Sequence, residues 1–319
     1  MSSAISLPAE PLSLRIGLIG YGEVGRILAE DLLAQGLHLS AYDSKLGTTA
    51  NAQAMREHAH GLSVALLDSH AHVCKQSDLI ICAVTASQTL TAAQACAPHM
   101  LPQAFFLDMN SASPGTKLSA AALIDKAGAR YVEAAVMTSV PPHRIQVPLL
   151  LGGAHAAALL PTLKALGFKA KIASAKLGVA SATKMSRSIM VKGMEAMVIE
   201  SLTTARYYGV QDAVIASLYE TFPGIDWEKQ AAYFFQRVIE HGRRRSEEMR
   251  EVAVTVQEAG LTPWLAQASA ERQAHMADLA DSSVFGVRGD AQFARSVDWR
   301  TEADRLLQAR TQIPIQNHD

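Results

Sequence analysis

An apolar run leading straight into three glycines, Leu14-Arg15-Ile16-Gly17-Leu18-Ile19-Gly20-Tyr21-Gly22-Glu23-Val24-Gly25, constrains this chain more than any other feature. Gly20, Gly22 and Gly25 have GxGxxG spacing, the pattern of a strand that turns tightly into a helix over a dinucleotide pyrophosphate. Gly20 is expected to make the turn, Gly22 to let the backbone approach the phosphates, and Gly25 to let the helix pack against the strand. The amides of Tyr21, Glu23 and Val24, at the start of that helix, are expected to face the anion. Residues 24–35 carry helical periodicity, and a second apolar run, 37–42, ends in Asp43, 23 residues after Gly20. An acidic side chain there accepts hydrogen bonds from a ribose 2′-hydroxyl and repels a 2′-phosphate. The cofactor expected is therefore NAD or NADP, tilted towards NAD, with Ser44 and Lys45 able to take a 2′-phosphate if Asp43 turns away. The alternative is an ordinary strand and turn with an exposed aspartate.

A chain of 319 residues can bury a large core and is expected to form two domains. With 29 basic and 30 acidic residues it has no long-range field to attract nucleic acid or a membrane surface. Cys74, Cys82 and Cys96 are too few for a disulfide framework, which points to the cytoplasm. There is no long uninterrupted apolar run, and residues 1–13 lack the charged start and apolar segment of a signal peptide, so they are expected to be a flexible tail.

Strand-like runs at 14–20, 37–42, 79–84, 104–108 and 130–135 alternate with helical patterns, as in a parallel sheet covered on both faces. Runs at 147–151 and 168–173, flanking a helix near 154–166, are expected to extend that sheet. Beyond residue 177 the strand signals stop. Helical patterns follow at 179–208, 212–221, 227–242, 246–259 and 263–279, punctuated by Gly-Val, Phe-Pro-Gly and Gly-Leu-Thr-Pro. The expected architecture is an α/β Rossmann-type doubly wound sheet over 14–175, followed by an all-α domain over 176–319 for substrate binding and dimerisation.

Ligands of such sheets sit beyond the carboxyl ends of the strands. The loop at Val84-Thr85-Ala86-Ser87 is small enough to pass under a dinucleotide. The loop Asp108-Met109-Asn110-Ser111-Ala112-Ser113-Pro114 offers Asn110 and Ser111 to a substrate, while Ser113 and Pro114 suit a helix start.

The order of glycine-rich turn, Asp-x-Asn-Ser loop, Val-Glu-Ala-Ala-Val at 132–136, Gly152-Gly153 and a lysine-bearing helix resembles the β-hydroxyacid dehydrogenases. The similarity runs from residue 14 to about 270 and is greatest to the 6-phosphogluconate-dehydrogenase-like branch with a compact helical domain. Gly178 to Lys184 resembles the family's Gly-x-Gly-x-x-x-Lys motif, with Ala180 at the second glycine. The resemblance implies that Lys184 is the catalytic acid/base. On a helix of about 100° per residue, Ser188 falls about 40° and Glu195 about 20° from Lys184, with Lys192 about 80° away. A lysine in a partly desolvated cleft beside a second cation has its pKa lowered, and accepts a substrate hydroxyl proton as hydride leaves for the nicotinamide.

Lys192 is then expected to help hold a substrate carboxylate, and Glu195 to protonate an enol if decarboxylation follows. The alternative for both is a solvated i, i+3 ion pair. Where the family has Ser-Gly-Gly, this chain has Met137-Thr138-Ser139, and Thr138 and Ser139 are expected to bind substrate hydroxyls. The chain is too short for the large C-terminal domain of 6-phosphogluconate dehydrogenase itself.

The expected function is thus NAD(P)-dependent oxidation of a small β-hydroxy acid or related anionic hydroxy compound by a homodimer. Imine reduction on the same fold is a rival that Lys184 argues against; a cofactor-binding sensor without turnover is the rival of another class. His241-Gly242-Arg243-Arg244-Arg245 reads as a basic cluster between two helices, with Arg244 or Arg245 able to clamp a carboxylate or simply to face solvent. His58, His60, His70, His72 and Cys74 have side chains that can ligate zinc, but surface histidines are the expected reading.

Overall fold

The computed structural model describes residues 14–47, 51–291, 293–294 and 296–310; the tail expected over 1–13 lies outside them. The chain divides after Lys184 into two compact units.

The first unit is an eight-stranded sheet. Its strands are β1 (Ile16–Ile19), β2 (Leu39–Tyr42), β3 (Ala65–Leu66), β4 (Leu79–Cys82), β5 (Phe105–Asp108), β6 (Arg130–Val136), β7 (Leu149–Gly152) and β8 (Ala170–Ser174). They lie in the order β3-β2-β1-β4-β5-β6-β7-β8. Helices α1 (Glu23–Leu33), α2 (Asn51–Leu62), α3 (His70–Cys74), α4 (Thr89–Cys96), α5 (Pro114–Lys126) and α6 (Ala156–Ala165) connect them. The strand order reverses between β1 and β4, so the ligand crevice of this topology falls at the carboxyl ends of those two strands.

Successive residues of the central strands alternate between two cores. Leu18, Ile81, Leu107 and Val132 join Leu28, Leu32 and Leu163 in one. Ile19, Ile80, Phe106 and Tyr131 join Val73, Ala93 and Ile124 in the other. Burial on both faces explains the unbroken apolar runs in the sequence. All three cysteines are buried free thiols in the second of these cores.

Two features depart from the expected sheet. β7 runs antiparallel to β6, because residues 137–148 contain only a short 3₁₀ turn, Arg144–Gln146, and cannot make the crossover that a parallel return needs. β3 was not expected; its two residues pair only with β2, too short a run to give a pattern.

Helix α7 (Val179–Tyr208) has the span read from the sequence. The second unit continues through α8 (Gln211–Thr221), α9 (Trp227–Glu258), α10 (Trp264–Asp281) and α11 (Trp299–Ala309). The helices expected at 227–242 and 246–259 are a single helix. A Cβ at Gly242 would lie 2.6 Å from the Gln273 carbonyl oxygen and 3.3 Å from Ala277 Cβ, so this glycine lets α10 pack closely and does not end a helix. The basic cluster is therefore helical: Arg243 pairs with Asp278 at 2.6 Å, Arg244 with Glu248 at 3.2 Å, and Arg245 points inward. Helix α11 lies beyond the last expected helix, started by Asp298, whose carboxylate accepts from the Arg300 amide, and buried through Trp299, Ala303 and Leu306. Among the described residues no helix is long and apolar enough to cross a membrane.

Candidate functional site

The turn after β1 is built around the three glycines. Gly20 adopts φ +96°, and a Cβ there would run into the Ala83 carbonyl oxygen. At Gly25 a Cβ would run into the Gly20 carbonyl oxygen, whereas at Gly22 it would meet no atom within 4 Å. Gly22 precedes α1 without a side-chain cap, and the first turn of α1 carries Glu23, which is exposed, and Val24, which is half-buried. The uncapped amides and the open flank of Gly22 fit an anion of pyrophosphate size.

Asp43 is held at the end of β2 by two backbone amides: Oδ2 accepts from Tyr21 at 2.8 Å and Oδ1 from Lys45 at 2.9 Å. The amide of Tyr21 is thus bound to Asp43. The fully buried Tyr21 side chain hydrogen-bonds His58 Nδ1 at 3.0 Å, and His58 Nε2 reaches Glu30 at 3.0 Å. Burial pushes the Tyr21 phenol up to about 12, so it stays protonated at neutral pH. His58 belongs to α2 and His72, on α3, pairs with Asp68. Among the described residues no group of three histidine, cysteine or carboxylate side chains is arranged to hold a metal ion.

The loops after β4 and β5 are joined by Asn110. Its Oδ1 accepts from the Val84 amide at 2.7 Å, its Nδ2 lies 3.4 Å from Cys82 Sγ, and its own amide donates to Asp108 at 2.9 Å. The residue is 3% exposed, and it braces the two loops. Thr85 is exposed on the loop after β4.

Behind this brace lies a buried charge pair. Lys117 Nζ is 2.7 Å from Asp108 Oδ1, with both side chains 1% exposed, and the Tyr131 hydroxyl donates to Asp108 Oδ2 at 2.6 Å. Burial, then the Asp108 charge, pushes the Cys82 thiol up to about 12 and raises the Tyr131 phenol well above its ordinary value.

Helix α7 follows β8 in the chain. Gly178, at φ +87°, leads into it, and the fully buried Glu133 of β6 sits against its first turn. Glu133 accepts from the amides of Gly178 at 2.8 Å, Ala180 at 3.3 Å and Ser181 at 3.4 Å, and from Ser181 Oγ at 2.9 Å. Just beyond this turn Lys184 Nζ donates to Ser111 Oγ, so the structure brings these two expected site residues together. Thr138 is exposed and Ser139 half-buried on the loop after β6.

Three more expected residues belong to the helical unit, where Ser188 is 5% exposed. Lys192 Nζ lies 2.7 Å from Glu248 and 3.3 Å from Ser188 Oγ. Glu195 is held by both arms of Arg245, the Nε bond measuring 3.1 Å, and by Gln273 at 3.3 Å. The solvated i, i+3 pair is not formed: both residues are buried, and each charge is balanced by a side chain of α9. Asp108, Lys117, Glu133 and Arg245 are the residues that sequence reasoning missed as parts of a network. The available signal was an ionisable residue inside an apolar strand or helix face, which must find a partner when buried.

Residues 15–172 match the NAD binding domain of 6-phosphogluconate dehydrogenase, which makes the first unit a nicotinamide-dinucleotide-binding domain. Residues 205–276 match a domain of unknown function, DUF1932. The chain thus joins an NAD binding domain of the 6-phosphogluconate-dehydrogenase type to a DUF1932 domain. It is similar to a conserved hypothetical protein from Sinorhizobium meliloti 1021, at 35% identity, 93% coverage of this chain, 97% of the other and a TM-score of 0.71. It is also similar to a conserved protein of unknown function described as structurally similar to 3-hydroxyacid dehydrogenases (29% identity, 84% and 98% coverage, TM-score 0.65). The 3-hydroxyisobutyrate dehydrogenase of Mycobacterium tuberculosis, solved with L-serine, shares the fold at 16% identity, 92% and 99% coverage and a TM-score of 0.66.

Proposed function

We propose that this protein is an NAD(P)-dependent dehydrogenase that oxidises the hydroxyl of a small β-hydroxy acid or a related anionic hydroxy compound. The observation that carries this reading is the meeting of Lys184 with Ser111 beyond the end of β5, in the same unit as the glycine-rich turn. A nicotinamide dinucleotide, when bound, supplies the hydride acceptor. Gly22 and the uncapped start of α1 would hold its pyrophosphate, and Asp43 its adenosine ribose. Lys184, as the free amine, takes the proton of the substrate hydroxyl while the carbon gives up its hydride and the carbonyl forms. Ser111 orients that hydroxyl by exchanging its hydrogen bond with Lys184. Thr138 and Ser139, on the loop after β6, are the polar side chains proposed for the rest of the substrate. Lys192 and Glu195 are omitted, because their charges are balanced by Glu248 and Arg245.

Absorbance of reduced cofactor, followed with a panel of 2- and 3-hydroxy acids and separately with NAD and NADP, tests the reading. Reduction with a 3-hydroxy acid supports it. Turnover only in the reverse direction with cyclic imines would favour the imine-reductase alternative, and firm cofactor binding without turnover of any compound would favour a sensor.

The proposed preference is for NAD, because the Asp43 carboxylate is fixed by two amides and cannot turn aside from a 2′-phosphate at no cost. Asp43→Asn keeps one acceptor and removes the charge. It is expected to narrow the NADH-over-NADPH preference on the order of tenfold, the equivalent of about 1.4 kcal/mol. Parallel fluorescence titrations with the two reduced cofactors read the ratio; an unchanged ratio would move discrimination to other residues.

A further inference from the structure

We propose that Glu133 is the positioning residue of the lysine base: it anchors the first turn of α7 to the sheet and, through that turn, sets the place and protonation of Lys184. This rests on the proposed role of Lys184 and extends it to a side chain that touches neither substrate nor cofactor.

A fully buried carboxylate in the middle of a strand is unfavourable unless its lone pairs are met. Here four donors meet them, and all four come from residues 178–181. Three are amides that the α-helical pattern leaves without an intrahelical partner. The arrangement is specific to the sheet. Glu133 faces Gly152 across the antiparallel β6–β7 pair, and a Cβ at Gly152 would run into Glu133 Oε1. On the other side Gly178 adopts φ +87°, its would-be Cβ 3.3 Å from Pro114 Cβ at the start of α5, so the chain enters α7 in one direction.

From Ser181, which gives Glu133 both its amide and its hydroxyl, Lys184 is one helical turn on. Ser111, the partner of Lys184, follows in the chain directly on Asn110, which braces the loops after β4 and β5, and closely on Asp108, which pairs with Lys117. Asp108 and Glu133 are register partners on adjacent strands. Two neighbouring buried carboxylates therefore fix the two halves of the catalytic contact, one the hydroxyl and the other the amine. Because Glu133 also places a negative charge behind the lysine-bearing turn, it favours the ammonium form of that lysine.

The test compares full-length wild type with Glu133→Gln and with the milder Ser181→Ala, which removes one donor and leaves the charge. Amide hydrogen exchange over 178–184 is expected to quicken on the order of tenfold or more in Glu133→Gln and about fivefold in Ser181→Ala. Acylation of Lys184 by acetic anhydride, followed by mass spectrometry across pH, is expected to show a midpoint moved to lower pH in Glu133→Gln only. Exposed Lys164 on α6 should keep its profile, and NADH affinity should stay within about twofold. The proposal is overturned if the Lys184 profile and the exchange over 178–184 match wild type in both variants, or if exchange quickens equally throughout the first unit. None of these readouts needs a substrate, so an absence of dehydrogenase turnover and a failure of this proposal give different results.

Discussion

Lys184→Met should lower kcat on the order of 10²–10⁴-fold with any substrate the wild type oxidises, the range by which a positioned general base contributes. Methionine keeps much of the length of the side chain and removes the amine that donates to Ser111 Oγ. The glycine-rich turn and Asp43 lie on other elements, and Asp43 is held by the amides of Tyr21 and Lys45. NADH affinity is therefore expected to remain within about twofold, which places the loss in the chemical step. Steady-state rates combined with fluorescence titration of NADH separate the two quantities. Activity equal to wild type would remove Lys184 from the mechanism, and joint loss of turnover and cofactor binding would indicate a folding defect.

The largest effect on stability is expected from Lys117→Met. Lys117 and Asp108 are both about as buried as side chains become, and removing the ammonium leaves an uncompensated carboxylate facing Cys82 and Tyr131. Breaking a buried pair from one side costs about 3–5 kcal/mol. The double variant Lys117→Met with Asp108→Asn removes the stranded charge and is expected to regain more than half of that loss. Urea denaturation followed by far-ultraviolet circular dichroism measures both. A single-variant loss below about 1 kcal/mol would mean that Asp108 is hydrated or protonated once its partner is gone.

The parts of this molecule that were legible in the sequence are those governed by local rules. The glycine-rich turn follows from spacing, the central strands from apolar runs bounded by turn residues, and α7 from a long helical period with its ends at 179 and 208. The meeting of Lys184 and Ser111 was legible only through family resemblance, since nothing in spacing alone brings residue 111 to residue 184.

What escaped depends on partners distant in sequence. Gly242 has the local character of a helix end, and only the passage of α10 past it shows why the helix continues. Asn110 reads as an exposed loop donor until Val84 and Cys82 are placed beside it. Lys192 and Glu195 look like a neighbouring pair, yet α9 presents Glu248 and Arg245 to them at shorter range. In each case a tertiary contact overrides a sound local inference.

The cysteines carry a practical consequence. All three thiols are buried in the sheet unit, and the sequence from 97 to 319 has none. In the native state Cys82, held near 12, stays protonated and unreactive. A thiol reagent added to the intact protein therefore records how often the dinucleotide-binding unit opens, while remaining blind to the helical unit. The rate of that labelling, and its suppression by NAD or NADP, would rank the two cofactors by the protection each confers, without any knowledge of what the protein oxidises.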